Sequence, residues 1–260
     1  MKIIIPMKRV PDTATKVGVR DGRVDASSLK TWVINPYDEY AIEEALRLNE
    51  QQGEGTVTIV TIGPSEAQET IRKALAMGID AAYHLNDPAF ENLDPLGRAR
   101  VLAEAIEKIG EFDLIWTGWK GVDEDYGQTG IYLAELLDLP HVSMVVGVKE
   151  VGDREATVLR EVEGGVEVVK TQLPAVFTQQ KGEHEPRYPT LKGIMGAKKK
   201  PLTEWSASDL DLDSDELEPG IEIVEVELPP ERQTGRIISG TPEEAARELV
   251  RLLREEAKVI

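Results

Sequence analysis

The residues best suited to chemistry lie in one segment, TGWKGVDEDYGQTG (Thr117–Gly130), between an apolar run and a stretch of helical period. Free amides at a helix start and glycine backbone can approach phosphate oxygens closely. In open α/β sheets, ligands bind at the carboxyl ends of strands. The segment therefore predicts a nucleotide-binding loop. Its contributors are Gly118, Gly121 and Gly127, which allow close approach, and Gln128 and Thr129 at the helix start.

A second interpretation of this segment is an ordinary solvated loop. The glycine spacing matches neither the Rossmann fingerprint nor the Walker loop. The three consecutive acids Asp123–Asp125 would also repel a phosphate group. Adjacent loop carboxylates are usually solvated and not paired for acid–base work, so we predict no catalytic residue. The three histidines, His84, His141 and His184, lack the short spacing of a metal site, and we predict no metal.

Composition excludes several classes of protein. The chain has 260 residues and no cysteine, and its 48 acids against 30 bases give a net charge of −18. Disulfides and thiolate chemistry are therefore excluded. A surface this negative repels nucleic-acid phosphates and anionic lipids. The apolar run Ile3–Met7 is too short for a signal peptide or a membrane span. We expect no nucleic acid, no membrane insertion, and a cytoplasmic location, or the mitochondrial matrix in a eukaryote.

The first half alternates short apolar runs with segments of helical period, which indicates βα units. The expected strands are Ile3–Met7, Thr56–Ile62, Ala82–Leu85 and Asp113–Thr117, and the expected helices are Asn35–Gln51, one from Pro64 to Gly78, and Pro95–Ile109. Asn35 is placed to cap its helix and Pro36 suits the first turn. Strands joined by crossover helices form a parallel sheet that is buried on both faces. The fold class is therefore α/β.

The second half begins with strand-like runs, Val145–Val151, Ala156–Glu161, Val166–Thr171 and Pro174–Gln179, the middle two joined at Gly164–Gly165. The polar stretch Glu183–Pro201 then predicts a long irregular loop, which is usually functional or disordered. Ile194 and Met195 are apolar residues in this loop. They either anchor a protein partner, if exposed, or pin the loop to the core.

The last 60 residues are expected to form an arm. Asp209–Glu218 holds six acids and no base, which is typical of a solvated linker. Ile221–Leu228 predicts an isolated strand, and the capping box at Thr241–Glu244 opens a helix to about Ala257. We divide the chain into a nucleotide-binding domain, residues 1–200, and an acidic linker with a docking arm, residues 201–260.

Several segments together resemble the beta subunit of electron transfer flavoprotein, across nearly the whole chain. They are KRVPDT (Lys8–Thr13), NPYDEYAIEEALRL (Asn35–Leu48), IGPSEAQETIRKALAMGID (Ile62–Asp80), GWKGVDEDYGQTG (Gly118–Gly130), REVEGGVE (Arg160–Glu167), LPAVFT (Leu173–Thr178) and EPRYPTLKGIMGAKKKP (Glu185–Pro201). Each is longer than a generic motif, and their order is that of the family. The resemblance implies a Rossmann-like domain of the adenine nucleotide alpha hydrolase type with a C-terminal arm.

The resemblance further implies a non-catalytic electron-carrier subunit of a heterodimer. Its alpha partner would hold most of an FAD, and the beta chain would bury an AMP. The AMP residues carried over are Met7, Asn35, Tyr37, Asp38, Ile62, Gly118, Gly121, Val122, Asp123, Asp125, Tyr126, Gly127, Gln128 and Thr129. Tyr37 and Thr13 resemble the residues that approach the flavin ring, although the family often has an aromatic residue at the position of Thr13.

The loop of residues 183–200 resembles the family's recognition loop for primary dehydrogenases, with Leu191 at the anchoring leucine and Ile194 and Met195 beside it. Glu161 resembles an acidic residue that contacts the mobile flavin domain of the alpha subunit; the alternative is a hairpin surface charge. The arm, residues 201–260, would dock on the alpha subunit.

Three functions remain open at this point. The first is an electron carrier between primary dehydrogenases of the acyl-CoA type and a membrane quinone reductase, which we favour. The second is a bifurcating relative with a second FAD in the nucleotide pocket; such members carry a DGDT-like turn where this chain has Asp123–Tyr126. The third is a stand-alone adenine-nucleotide-binding protein, which leaves the arm and the loop of residues 183–200 unexplained.

Overall fold

The structure is a computed structural model, and it describes residues 1–230 and 235–260. Its strands are β1 (Lys2–Pro6), β2 (Arg9–Pro11), β3 (Val19–Arg20), β4 (Arg23–Val24), β5 (Trp32–Ile34), β6 (Thr56–Ile62), β7 (Ala81–Leu85), β8 (Leu114–Gly118), β9 (His141–Val151), β10 (Glu155–Val162), β11 (Gly165–Gln172), β12 (Ala175–Gln179) and β13 (Leu202–Trp205). Its helices are α1 (Pro36–Gln52), α2 (Ala67–Met77), α3 (Pro95–Ile109), α4 (Thr129–Leu136), α5 (Leu191–Ala197) and α6 (Pro242–Glu255).

Nine of the described strands form one sheet in the order β11-β10-β9-β12-β8-β1-β6-β7-β13. In this spatial order, every neighbouring pair between β9 and the edge strand β13 is parallel. Strand β10 is antiparallel to both of its neighbours, β9 and β11. The α/β class and the mostly parallel sheet are thereby confirmed. The small pairs β2–β5 and β3–β4, and the edge strand β13, add to the expected strands.

The central strands are buried on both faces, which explains why their sequences are almost entirely apolar. One core cluster lies under α1 and α2 and includes Ile5, Ile42 and Leu75. The other lies under α3 and α4 and includes Ile4 and Ile106. With helices on both faces, the carboxyl ends of the parallel strands remain free at one edge of the sheet.

Helix α1 starts where the sequence predicted, but its first turn is held differently. Pro36 is its first residue, and Gly53 ends it with a left-handed φ of 77°. The side chain of Asn35 does not cap the helix amides; it bonds to the loop after β8 instead. The expectation of an Asn35 side-chain cap is therefore wrong.

The stretch Glu183–Pro201 is not wholly irregular. The short helix α5 forms within it, and the side chain of Thr190 accepts a hydrogen bond from the Gly193 amide to cap it. Arg72 of α2 donates to the carbonyls of Ala197 and Lys200. A capped helix bound to α2 replaces the expected free loop.

The acidic stretch after residue 200 is not a solvated linker throughout. Two 3-10 turns, Ser208–Leu210 and Ser214–Leu217, bury Leu210 and Leu217 in the core cluster under α3 and α4. Both leucines are flanked by acidic residues, so the composition of the stretch did not indicate that they are buried. Because β13 also joins the main sheet, residues 202–217 pack with the α/β core of residues 1–200.

In the remainder of the arm, residues 221–230 form no helix or strand, and helix α6 spans Pro242–Glu255. Ile221–Leu228 forms no strand in the described chain, so that expectation is wrong; Val226 donates one backbone hydrogen bond to Gly22 and makes no ladder. Helix α6 has the predicted capping box, in which Thr241 and Glu244 bond reciprocally. Of its 14 residues only Leu252 is buried. Among residues 1–230 and 235–260 no helix has the length and apolar character needed to cross a membrane.

Candidate functional site

A cavity of about 640 Å³ lies at the carboxyl ends of β1, β6 and β8. Its walls also include the starts of α2 and α4, and its volume falls within the usual range for small-ligand sites, about 300 to 1,000 Å³. Its lining residues include Met7, Lys8, Asn35, Asp38, Ile62, Gly63, Asn86, Phe90, Arg98, Gly118, Trp119, Gly121, Glu124, Tyr126, Gly127, Gln128, Thr129 and Gly130. Within the described ranges no three His, Cys, Asp or Glu side chains cluster to suit a metal ion.

Asp38 ties the floor of the cavity together. Its Oδ2 accepts from the Lys8 amide at 2.6 Å, and its Oδ1 accepts from the Gly118 amide at 3.1 Å and from Asn35 Nδ2 at 3.0 Å. Burial raises the pKa of Asp38 to about 7, although these three donors oppose the shift. The carboxyl group thus joins the first turn of α1 to the ends of β1 and β8.

Asn35 extends this connection to the loop after β8. Its Nδ2 donates to the carbonyl of Lys120 at 2.9 Å, and its Oδ1 accepts from the Val122 amide at 3.1 Å. The side chain is buried, so both ends of the amide find partners. Asn35 therefore shapes the loop after β8 and does not cap α1.

Gly118 leaves room for the Asp38 contact. A Cβ atom on Gly118 would lie 2.1 Å from Asp38 Oδ1 and 2.9 Å from the Asp38 amide nitrogen. No side chain fits there without moving the start of α1. Glycine at this strand end is thus required by a close approach of two backbone segments.

The loop acids are paired with bases. Lys8 Nζ lies 2.7 Å from Asp123 Oδ1 and 2.6 Å from Glu124 Oε2. Arg98 of α3 grips both oxygens of Glu124, and Lys120 pairs with Asp125. Each acid therefore has a basic partner within the chain. Residues 123–126 are nevertheless exposed, as a solvated loop would be, and Glu124 also lines the cavity.

Glu124 stays ionised to low pH. Burial alone would raise its pKa, but the hydrogen bond from Arg98 and the charge and hydrogen bond of Lys8 outweigh it and lower the pKa to about 2. The side chain is about 30 % exposed, so these interactions act in a partly desolvated place. Glu124, Lys8 and Arg98 form a unit that we call the Glu124 clamp.

The start of α4 lies in the cavity wall, where Gln128, Thr129 and Gly130 are lining residues. Helix starts leave their first amides without intrahelical partners, and no side chain caps α4 at Gln128. Asp125 and Gly127 precede it with left-handed φ values of 62° and 63°, which turn the loop into the helix. These amides and the Thr129 hydroxyl form a place for one phosphate group.

The structure brings ten of the predicted site residues to the cavity wall: Met7, Asn35, Asp38, Ile62, Gly118, Gly121, Tyr126, Gly127, Gln128 and Thr129. Five others do not line it. Val122 bonds to Asn35, and Asp123 and Asp125 pair with Lys8 and Lys120. Tyr37 packs edge-on against Trp119 with ring centroids 5.6 Å apart, and Thr13 is exposed on the loop after β2.

Sequence reasoning missed Lys8 and Arg98 as lining residues. Lys8 directly follows the first strand, and that position at a strand's carboxyl end was a usable signal. Arg98 lies one turn into α3, and nothing in its local sequence indicates that it reaches Glu124, 26 residues later.

A second surface lies on α5 and away from the cavity. Leu191, Ile194 and Met195 are 76 %, 51 % and 67 % exposed, so they do not pin the loop to the core. Their neighbour Ala197 is buried and packs there instead. We call the three exposed side chains the α5 patch. Glu161 is exposed on the hairpin of β10 and β11.

The chain leading to α5 is firmly held. Arg187 bonds to Glu43 through its Nε at 2.8 Å and to Glu50 through Nη1 at 2.5 Å. His184 Nδ1 lies 2.9 Å from Glu44 Oε1. Glu43 and Glu44 are buried on α1. These bonds fix the base of the segment and leave the α5 patch projecting.

The electron transfer flavoprotein domain family matches residues 26–210. Along its full length the chain is 46 % identical to all of "Electron transfer flavoprotein subunit beta" of Bacillus subtilis (strain 168). It is 42 % identical to all of the mitochondrial protein of that name from Oryza sativa subsp. japonica. Against the protein of that name from Mus musculus the identity is 39 %, over the whole of this chain and 99 % of the other.

Proposed function

Because the chain belongs to the electron transfer flavoprotein beta-subunit family, we propose that it is the nucleotide-holding subunit of a heterodimeric electron carrier. Its relatives carry the name of a beta subunit, which implies an alpha partner. The chain acts as a carrier subunit and has no catalytic reaction of its own. Its setting is the cytoplasm, or the matrix in a mitochondrion.

The observation that carries the proposal is the cavity at the strand ends, with the uncapped start of α4 in its wall. We propose that AMP binds there as a structural nucleotide. The donor set suits a monophosphate, because Gln128 and Thr129 line the cavity at a helix start that no side chain caps, and such a start can bind one phosphate group. Asp38 and Asn35 hold the backbone around it and exclude water from the floor.

The residues beside the cavity mouth suit a flavin ring shared with the alpha subunit. Tyr37 and Trp119 form a half-buried aromatic pair, and Lys120 lies 4.4 Å from the Trp119 ring centroid. We propose that Tyr37 and Thr13 contact FAD that the alpha subunit mainly holds. When bound, FAD would supply the electron-carrying chemistry, and this chain's residues would orient one edge of its ring.

The other proposed partners use the surfaces outside the cavity. The α5 patch is an apolar projection in polar surroundings, which fits an anchor for primary dehydrogenases of the acyl-CoA type. A quinone reductase would accept the electrons. The arm, with helix α6 largely exposed, would dock on the alpha subunit, and Glu161 would face that subunit's flavin domain.

One experiment separates the three functions. The full chain is co-expressed with its alpha subunit, the purified complex is denatured, and the released nucleotides are identified and counted. One FAD and one AMP per heterodimer support the carrier. Two FAD indicate the bifurcating form. Adenine nucleotide bound to the chain alone, with no assembly with an alpha subunit, indicates the stand-alone protein.

A further inference from the structure

The Glu124 clamp places a carboxylate inside a nucleotide-sized cavity, against two cations. Both side-chain hydrogen bonds of Arg98 within the described part of the chain go to Glu124. Lys8 donates to the same carboxylate at 2.6 Å and to Asp123 at 2.7 Å. All three clamp residues line the cavity. Lys8 and Arg98, which would otherwise attract an anionic ligand, already have an internal anion, whereas Arg9 in the same wall stacks on the Trp32 ring and is not part of the clamp.

Arginine and lysine at a phosphate site normally bind phosphate oxygens, and arginine does so with two parallel bonds. Glu124 offers Arg98 the same pair of oxygens. It also lies only four residues before Gln128, at the start of α4, where the first amides have no intrahelical partner. A ligand with one phosphate can use those amides and leave the clamp intact. Because Glu124 and Gln128 line the same cavity, we expect a second phosphate to approach the clamp carboxylate.

We propose that Glu124 is a specificity-determining residue that restricts this cavity to nucleoside monophosphates, by occupying Lys8 and Arg98, the two cations that a second phosphate beside the clamp would need. The inference rests on the proposed nucleotide function and names the ligand class more narrowly. ADP and dinucleotides are disfavoured, because their second phosphate would meet a carboxylate and would find Arg98 already engaged.

The test uses the full chain in complex with its alpha subunit. Wild-type and Glu124→Gln complexes are stripped of nucleotide under mild denaturing conditions and refolded with equal concentrations of AMP and ADP. The retained nucleotides are then released and quantified. The substitution frees Arg98 and Lys8 for charge-assisted hydrogen bonds to the second phosphate. We therefore expect it to raise the retained ADP:AMP ratio by roughly 10- to 100-fold.

Two further variants show whether the cations carry the effect. In Glu124→Gln with Arg98→Met the freed guanidinium is gone, so the ADP:AMP ratio should fall back toward the wild-type value. Glu111→Gln is the matched control, since it removes one surface carboxylate from the Lys2 ion pair far from the cavity. It should leave the ratio unchanged. If Glu124→Gln does not refold, Glu124→Asp keeps the charge with a shorter reach and should raise the ratio by a smaller factor.

The outcomes distinguish a failure of the specificity role of Glu124 from a failure of the proposed nucleotide function. An unchanged ratio in Glu124→Gln, or in Glu124→Asp where that variant is used, means that Glu124 only anchors the loop, and it overturns the inference while AMP binding stands. A wild-type complex that retains a dinucleotide in this cavity overturns it too. A wild-type complex that retains neither AMP nor ADP contradicts the proposed nucleotide function itself.

Discussion

The cavity and the α5 patch differ in whether their functional groups already have partners within the chain. In the cavity wall two acids are held within the chain: Asp38 accepts three hydrogen bonds, and Glu124 is held by Lys8 and Arg98. In the α5 patch the large apolar side chains project into solvent, although the segment behind them is held firmly by Arg187.

This difference separates a site for a small ligand from a site for a protein. A ligand that is enclosed by the fold needs a preorganised wall, so the protein satisfies that wall internally. A protein partner supplies its own surface, so the groups that meet it remain uncovered until it binds. Substitutions in the two regions should therefore affect different observables.

The largest expected effect concerns the floor of the cavity. Gly118→Val would place its Cβ 2.1 Å from Asp38 Oδ1 and would push the buried carboxyl away from the residue-118 amide that donates to it. Overpacking and a lost charge-assisted bond together predict a loss of about 4 kcal/mol in the free energy of unfolding. Denaturant unfolding and nucleotide content should both report the loss. Normal stability with normal nucleotide content would remove the special role of this glycine.

A matched leucine pair sharpens the comparison. Leu75 is fully buried on α2 beneath α5, whereas Leu191 is 76 % exposed. Leu75→Ala should lower the free energy of unfolding by about 3 kcal/mol through cavity formation. The same substitution at Leu191 should change it by less than about 0.5 kcal/mol. Equal losses at both positions would show that Leu191 is a core residue in solution.

The Glu124 clamp predicts a pH-dependent contribution to stability. The pKa of Glu124 is about 2 in the folded chain, below the usual 4.5. Its contribution is therefore complete above pH 4.5 and is lost as the pH falls toward 2. Allowing for partial exposure, we expect about 2 kcal/mol. Unfolding of wild type and Glu124→Gln should differ by this amount at pH 6 and converge near pH 2. A difference that does not change with pH would contradict the lowered pKa.

The smallest effect is expected at Gly127. A Cβ there would find its nearest neighbour 3.6 Å away, so only the left-handed φ of 63° opposes a side chain. Gly127→Ala should cost about 1 kcal/mol, which corresponds to a fall of about 2 to 4 °C in Tm. A loss as large as that of Gly118→Val would mean that the loop is packed more tightly than the structure shows.

The predicted elements succeeded where the signal was local. Thr56–Ile62 and Pro95–Ile109 match β6 and α3 residue for residue, since apolar runs, a proline start and a glycine end are all encoded within one segment. Leu210 and Leu217 were missed because isolated leucines among acids show no period. The Ile221–Leu228 pattern suits a strand, but a strand also needs a partner, and no local pattern indicates whether one exists.

The site shows the same limit at longer range. Gly118, Gln128 and Thr129 were found because glycines and a helix start lie together in sequence. The Glu124 clamp joins residues 8, 98 and 124, so only the folded sheet reveals that the loop acids are neutralised. The Asn35 side chain was assigned to a helix cap because the local pattern was the same for a cap and for a long-range contact.

Our central claim is that the cavity holds the nucleotide and the α5 patch binds the dehydrogenase. One variant complex tests this claim most directly. Leu191→Ala, assembled with the alpha subunit, is assayed for nucleotide content and for dehydrogenase-linked dye reduction beside wild type. We predict unchanged FAD and AMP content. Electron transfer at limiting concentration should be slower, because loss of an anchoring side chain costs about 1 to 4 kcal/mol of binding. Unaltered electron transfer, or lost nucleotide, would contradict the account.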